Sequence, residues 1–207
     1  MSKLDEAQGR GAFFKSLGTL MAGFLAERIE EAVVSLSPEL LRPPGALDEL
    51  AFLTACTRCD KCLPACPQEA ILKAPAGAGL SAGTPYLQPR SIPCCLCREL
   101  PCIPACPEGA LLWPRLGDLS GPKAVRMGTA RIKTSLCLTY PAEDREPEAC
   151  RVCVERCPYP GEAIRLSDPG PTGLLHPVVM ADRCTGCGLC VYACPATEPA
   201  IVVDPRR

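Results

Sequence analysis

Sixteen of the seventeen cysteines in this chain fall into four groups of four, and each group ends in a Cys-Pro pair. The first and fourth groups share the spacing C-x2-C-x2-C-x3-C-P. They consist of Cys56, Cys59, Cys62 and Cys66, and of Cys184, Cys187, Cys190 and Cys194. This spacing is typical of bacterial [4Fe–4S] loops, in which three thiolates bind one cluster and the fourth reaches a neighbouring cluster. The two groups therefore predict paired iron–sulphur clusters.

The two middle groups are stretched versions of the same loop. They consist of Cys94, Cys97, Cys102 and Cys106, and of Cys137, Cys150, Cys153 and Cys157. Extra residues between ligands are tolerable because the entropy cost of closing a loop grows slowly with its length. The four groups together predict four [4Fe–4S] clusters with sixteen cysteine ligands. Twelve residues separate Cys137 from Cys150, so a three-iron cluster in this group, or a merely buried Cys137, stays an alternative.

Other residues in these loops carry further predictions. Cys95 is left over, and we expect it to be a spare thiol, because Cys94 gives the C-x2-C spacing of the other groups. Gly186 and Gly188, between ligands of the fourth group, suit a loop that turns its N–H groups towards sulphur and adopts positive φ. Asp60 falls in the corresponding place of the first group.

The composition favours metal as a source of stability. Aromatic residues make up only 4% of the 207 residues, so burial of large apolar side chains is limited. A disulphide framework gives no reason to repeat cysteines at intervals of three, three and four before proline, and a set of zinc sites is the weaker metal interpretation. The formal net charge of −1 provides no basic excess for binding nucleic acid.

The chain is predicted to have two parts, residues 1–40 and residues 41–207. Apolar residues from Phe13 to Val33 recur at helical spacing, which predicts an amphipathic helix that packs on its own domain or docks to a partner or membrane surface. Its apolar stretch, Ser16–Ala26, is too short to span a bilayer. Residues 41–207 are predicted to form a four-cluster ferredoxin-type domain, with a short helix over Leu47–Leu53. We expect an α+β fold with two bacterial-ferredoxin-like double-cluster modules in one compact, loop-rich domain.

An apolar pair closely follows each Cys-Pro. The pairs are Ala70-Ile71, Ala110-Leu111, Ala163-Ile164 and Ala200-Ile201. We expect each pair to pack over a cluster and to lead into a short strand, keeping water from the iron.

Several segments outside the ligand spacing are typical of a known family. They are Leu41–Ala46, Cys56–Cys62, Gly79–Tyr86, Ile92–Cys94, Arg126–Gly128 and Cys184–Gly188. On these segments the chain resembles, from Leu41 to Val203, the ferredoxin-type proteins of the NapG/MauM family, associated with periplasmic nitrate reductase and methylamine utilisation. Family members typically carry a twin-arginine export signal, whereas the matching stretch Arg10–Lys15 has one arginine. We therefore expect a cytoplasmic protein, with membrane association or periplasmic export as alternatives.

Family members are similar to the four-cluster subunits of molybdoenzymes, which implies that the first group pairs with the fourth and the second with the third. One pair of clusters would then use Cys56, Cys59, Cys62 and Cys194 with Cys184, Cys187, Cys190 and Cys66. The other would use Cys94, Cys97, Cys102 and Cys157 with Cys137, Cys150, Cys153 and Cys106. The spacing agrees, since the two regular groups match each other and the two stretched groups are left together.

The sequence favours electron transfer over catalysis. We expect single electrons to pass through the clusters between a donor and a redox enzyme, and the resemblance suggests a membrane quinol dehydrogenase or another iron–sulphur protein such as a ferredoxin as donor. The one histidine, His176, lies outside any motif and is expected in a surface loop, and there is no nucleotide-binding fingerprint. The alternatives are a structural or assembly subunit of an oxidoreductase complex, and an enzyme with a labile cluster at Cys137.

Overall fold

The computed structural model describes residues 38–117, 119–142, 145–167, 169 and 173–206. The predicted N-terminal helix lies outside the described residues, so its existence and the domain boundary at residue 40 stay predictions. The described helices are α1 (Glu49–Ala55), α2 (Val152–Glu155) and α3 (Leu189–Ala193). The helix predicted over Leu47–Leu53 is confirmed as α1, shifted by two residues. In this part of the chain, no helix has the length and apolar character needed to cross a membrane.

The described strands are short and pair two by two. They are β1 (Ile71–Lys73), β2 (Pro85–Leu87), β3 (Arg115–Leu116), β4 (Leu119–Ser120), β5 (Gly128–Ile132), β6 (Ile164–Leu166), β7 (Pro177–Val179) and β8 (Ile201–Pro205). Four antiparallel sheets result, β1–β2, β3–β4, β5–β8 and β6–β7. The small number of helices and the short strands agree with the prediction of a loop-rich domain.

Two modules repeat one arrangement of strands. In the second module, residues 128–206, β5 and β8 form an outer pair and β6 and β7 an inner pair. In the first module, residues 38–114, β1–β2 is the inner pair, and the outer pair shrinks to a bridge between Ala46 and Leu111. Leu112 N–H still donates to Gly45 O at 2.7 Å, but Pro114 has no N–H to continue the ladder. Three of the four strands predicted after Cys-Pro therefore form.

The apolar pairs after the Cys-Pro motifs all lie in the interior. Their eight residues are buried, none with more than 5% of its surface exposed. Residues Ile71 and Leu111 belong to the larger core cluster, most of which lies in the first module, and Ile164 and Ile201 belong to the smaller cluster in the second module. The burial expected of these pairs is confirmed, and their packing over clusters stays a prediction.

Two of the family-typical segments meet at a buried arginine. Arg42 is 5% exposed and lies over the ring of Phe52 on α1. Its guanidinium donates to the carboxylate of Glu49, to Thr84 Oγ1 at 2.8 Å and to Ser81 Oγ at 2.9 Å. A buried cation is costly unless it is paired and hydrogen-bonded, and Arg42 is both. The segments Leu41–Ala46 and Gly79–Tyr86 are thus joined in one polar network beside the first cysteine group.

The two modules pack directly on each other. Gly188 lies against Pro89, so that a Cβ at this glycine would be 2.3 Å from Pro89 Cβ. Arg90 Nη1 donates to Cys194 O at 3.1 Å, at the carboxyl end of α3, where a cation is favourable. Arg206 Nη2, near the C-terminus, donates to Asp48 Oδ1 at 2.9 Å in the first module. Two of these three contacts involve the fourth cysteine loop, through Gly188 and Cys194.

Candidate iron–sulphur sites

Site A consists of Cys56, Cys59, Cys62 and Cys106. The first three lie in the loop of the first cysteine group, and Cys106 comes from the second cysteine group. Burial, together with the neighbouring thiols of Cys56, Cys106 and Cys59, raises the pKa of Cys62 to about 11. Cys59 is exposed, so site A lies near the surface of the first module.

Site B consists of Cys66, Cys94, Cys97 and Cys102. Burial, followed by the thiols of Cys66, Cys62 and Cys97, raises the pKa of Cys102 to about 12. The thiol of Cys94, in the same cysteine loop as Cys97 and Cys102, is close enough to Cys187 of site D and to Cys102 for both to raise its pKa, after burial. The Leu96 N–H bonds to the Cys94 sulphur.

Site C consists of Cys137, Cys150, Cys153 and Cys194. These four thiols line one cavity together with apolar side chains, among them Ile132 and Ile201. Burial, then the thiols of Cys137 and Cys150, raises the pKa of Cys153 to about 12. Cys137 is buried and lies with the other three, despite the long insertion that separates it from Cys150. The alternative that Cys137 is buried away from the other ligands is not supported.

Site D consists of Cys157, Cys184, Cys187 and Cys190. The four thiols line a second cavity, whose walls include Ala163 and Ile164. Burial is the main cause that raises the pKa of Cys190, followed by Cys187 and Cys184. Backbone N–H groups also point at sulphur here, as Ala130 N lies 3.4 Å from Cys184 Sγ. Such hydrogen bonds are one means by which a protein sets a cluster potential.

The pairing implied by the family resemblance is wrong. The structure pairs the first group with the second, through Cys106 at site A and Cys66 at site B. It pairs the third group with the fourth, through Cys194 at site C and Cys157 at site D. The physical reason is local folding, because the β1–β2 and β6–β7 sheets each return the chain so that groups adjacent in sequence meet. Similar ligand spacing carries no information about which loops face each other.

The loops between ligands adopt the left-handed backbone conformation that the glycines suggested. Gly186 has φ +73° and Gly188 has φ +79°, which confirms the prediction for the fourth group. Arg58 and Asp60, in the equivalent places of the first group, have φ of 58° and 61°. Positive φ is uncommon for residues with a Cβ, and Asp60 Oδ2 accepts from Lys73 Nζ at 2.6 Å. This exposed ion pair joins the first loop to β1.

Cys95 is exposed and lies on an open cleft of about 450 Å³. Its Sγ lies 3.3 Å from Cys97 Sγ, which makes it a close neighbour of site B. Cys94 accepts a hydrogen bond from the backbone N–H of Leu96, two residues after it. Cys187 accepts the equivalent hydrogen bond from the backbone N–H of Leu189. Cys94 therefore has the geometry of a ligand in a cysteine loop, and Cys95 as a spare thiol stays a prediction.

His176 lies in a loop, as the sequence predicted, but not fully on the surface. It is half-buried, and its ring stacks on Tyr140 with centroids 4.1 Å apart. Its Nδ1 lies 3.2 Å from Oγ1 of Thr139, whose hydroxyl also lies 3.4 Å from Cys137 Sγ. Sequence reasoning missed Thr139 entirely. The one available signal was a hydroxyl two residues after a ligand cysteine.

The four donor sets fit iron–sulphur clusters better than single metal ions. Among the described residues, no three side chains of His, Cys, Asp or Glu converge closely enough for one ion. A cuboidal cluster holds its thiolates further apart, because iron and sulphide atoms stand between them. Burial that raises thiol pKa values penalises free thiolates, and bound iron would remove that penalty by coordinating them.

Comparisons with known proteins agree with this chemistry. Residues 148–197 match the model of a 4Fe-4S dicluster domain, and residues 53–74 that of a 4Fe-4S binding domain. The dicluster match spans both C-terminal groups except Cys137, as expected if they form one double-cluster module. Ferredoxin-type protein NapG of Escherichia coli K12 is 37% identical over 216 residues, covering 99% of this chain and 90% of the relative.

This chain belongs to the NapG/MauM family of ferredoxin-type proteins. Methylamine utilization ferredoxin-type protein MauM of Methylophilus methylotrophus is also 37% identical, over 100% of this chain and 90% of its own length. Ferredoxin-type protein NapF of Escherichia coli K12 is 31% identical over 76% of this chain and 81% of the relative. No solved structure matches the chain. As a NapG/MauM ferredoxin-type protein with 4Fe–4S domains, it is an electron-transfer protein that uses [4Fe–4S] clusters.

Proposed function

We propose that this NapG/MauM protein relays single electrons through four [4Fe–4S] clusters, one at each of sites A, B, C and D. The sixteen cysteines of the four sites would supply every ligand, four to each cluster. The observation that carries the proposal is that thiols of neighbouring sites are close enough to raise one another's pKa, and that these pairs form a single series. The neighbouring pairs are Cys62 and Cys102, Cys94 and Cys187, and Cys190 and Cys153.

These pairs of thiols support a linear order of sites, A–B–D–C. The first pair lies within the first module, the second spans the module interface and the third lies within the second module. Sites A and C are then the ends of the relay. The exposed thiol of Cys59 at site A suits exchange of electrons with a partner at the surface.

In this proposal the protein itself converts no substrate. The ferredoxin-type names of the NapG and MauM relatives support a carrier rather than a catalyst. Its donor would be a membrane quinol dehydrogenase or a ferredoxin, and its acceptor a redox enzyme. A cytoplasmic location, with membrane association through residues 1–40, is part of the proposal, and cell fractionation tests it.

The test is to purify the full chain without oxygen, measure iron and acid-labile sulphide per chain, and titrate the clusters with EPR detection. About sixteen irons and sixteen sulphides are expected, with several signals that appear on reduction. Far fewer irons would contradict the four-cluster count. Clusters that are present but never reduced would favour the structural or assembly role instead.

A second measurement tests the order of the sites. A Cys102→Ala variant removes a ligand of site B, which the proposed order places between site A and the second module. We expect the clusters of the second module to be reduced more slowly when electrons enter at site A. Unchanged rates, with the site B cluster lost, would contradict the linear order.

A further inference from the structure

A buried hydroxyl connects the one histidine of the chain to site C. Thr139 has none of its surface exposed, and its Oγ1 lies 3.4 Å from Cys137 Sγ. On its other side the same oxygen lies 3.2 Å from His176 Nδ1. The histidine ring is held in place by stacking on Tyr140, and its backbone N–H donates to Ser167 Oγ at 3.0 Å. The ring of His176, the hydroxyl of Thr139 and the sulphur of Cys137 therefore form a short chain of polar contacts.

The direction of these hydrogen bonds follows from the number of protons available. A cysteine bound to iron is a thiolate and can only accept a hydrogen bond. Thr139 has one hydroxyl proton, so it must donate that proton to Cys137 Sγ. Its oxygen is then free to accept, and the Nδ1–H of His176 is the donor in reach. Loading of site C thus selects the tautomer of His176 that carries its proton on Nδ1.

We propose that Thr139 and His176 are positioning residues that raise the reduction potential of the cluster at site C. The inference rests on the proposed function, in which Cys137 binds that cluster. Reduction adds a negative charge to a cluster, and a hydrogen bond to a ligand sulphur stabilises that charge. His176 acts through Thr139, because the hydrogen bond that it donates to Thr139 Oγ1 leaves the hydroxyl proton to be donated to Cys137 Sγ. Arg145 works in the same direction, since its guanidinium donates to Cys137 O at 3.0 Å.

Site D provides a comparison within the same molecule. The side chain of buried Thr185 hydrogen-bonds to Cys187 there, but no histidine can support it, because His176 is the only one in the sequence. At the position two residues after the first ligand, the other groups have Arg58, Leu96 and Gly186 instead of a hydroxyl. The paired threonine and histidine therefore distinguish site C, the proposed end of the relay.

The test is an EPR-monitored redox titration of full-length, anaerobically purified variants with their iron and sulphide contents measured. Thr139→Val should keep all clusters and lower the potential of one of them, with a roughly tenfold smaller equilibrium constant for its reduction. Thr139→Ser should restore the potential. His176→Phe, which keeps an aromatic ring against Tyr140, should lower the same potential by less. Thr185→Val is the matched control and should move a different signal.

The outcomes separate this inference from the proposed function. A Thr139→Val protein with full iron content and unchanged potentials would overturn the inference. If Thr139→Val loses iron, His176→Phe decides, because it leaves Thr139 in place, and an unchanged potential would again overturn it. A Cys137→Ala variant that keeps every cluster and every potential would instead show that Cys137 is no ligand, which would overturn the proposed function at site C.

Discussion

The backbone N–H of Cys94 donates to the carbonyl oxygen of Cys187 at 3.0 Å, across the interface of the two modules. One hydrogen bond thus joins a residue of site B to a residue of site D. Both residues lie in cysteine loops whose shape is fixed by their ligand spacing, so the distance between the two sites depends on how closely these loops approach. Gly188 beside Pro89 makes that approach possible.

Gly188→Ala should weaken the module interface. The added Cβ would lie 2.3 Å from Pro89 Cβ, and alanine at φ +79° carries the additional cost of the left-handed region, about 1–2 kcal/mol. We expect a lower urea midpoint for bleaching of the visible cluster absorbance and slower reduction of the second module through the first.

Gly161→Ala is the control for this substitution. Gly161 has nearly the same φ, +80°, but a Cβ there would have no atom within 4 Å. The Gly161→Ala variant should lose only the free energy of unfolding that alanine costs at positive φ. Electron transfer between the modules should be unchanged. Equal losses of stability in the two variants would argue against a packed interface at Gly188.

The observed pairing of cysteine groups predicts which ligand substitutions act on the same cluster. Cys137→Ala and Cys194→Ala should each perturb one and the same EPR signal, because both thiols line the site C cavity. The double variant should therefore lose no more than about four irons, as much as the loss of one cluster. Losses that add to about eight irons would place Cys194 at a different cluster, as the resemblance had implied.

Cys95 should be the cysteine most open to alkylation in the loaded protein. It is exposed on the cleft, whereas the sixteen ligand thiolates would be bound to iron. Anaerobic treatment with iodoacetamide followed by peptide mass spectrometry should find one modified cysteine, at Cys95. The Cys95→Ser variant should keep its full iron content and remain unlabelled. Iron loss in that variant would make Cys95 a ligand.

Alkylation of the metal-free protein, under conditions in which circular dichroism shows it to be folded, should reveal the raised thiol pKa values. Because the pKa of Cys62 is raised to about 11 and that of Cys102 to about 12, the reactive thiolate of each is scarce at neutral pH. The rate at both residues should rise about tenfold per pH unit and continue to rise above pH 9, where an ordinary thiol levels off. In denaturant both rates should level off near pH 9. A plateau at pH 9 in the folded protein would contradict the burial of these thiols.

Sequence alone determined the chemistry of this protein. The spacing of ligands in the cysteine loops is a local property, because the backbone of the short segment from Cys56 to Cys62 determines whether its thiols converge. The left-handed conformation at Gly186 and Gly188 is local in the same way, and so is the short helix at α1. These features could be predicted because each depends on residues close together in the chain.

Only the tertiary structure decided which loops share a cluster. Cys106 and Cys194 lie in nearly identical Cys-Pro motifs, and no spacing tells which neighbouring site each one reaches. The sheets β1–β2 and β6–β7 settle this by folding adjacent groups together. The same holds for His176, whose contact with Thr139 joins residues far apart in sequence, and for Arg42, which meets Thr84 through packing. Such contacts depend on how segments far apart in sequence pack together, and sequence motifs do not specify the spatial distances between those segments.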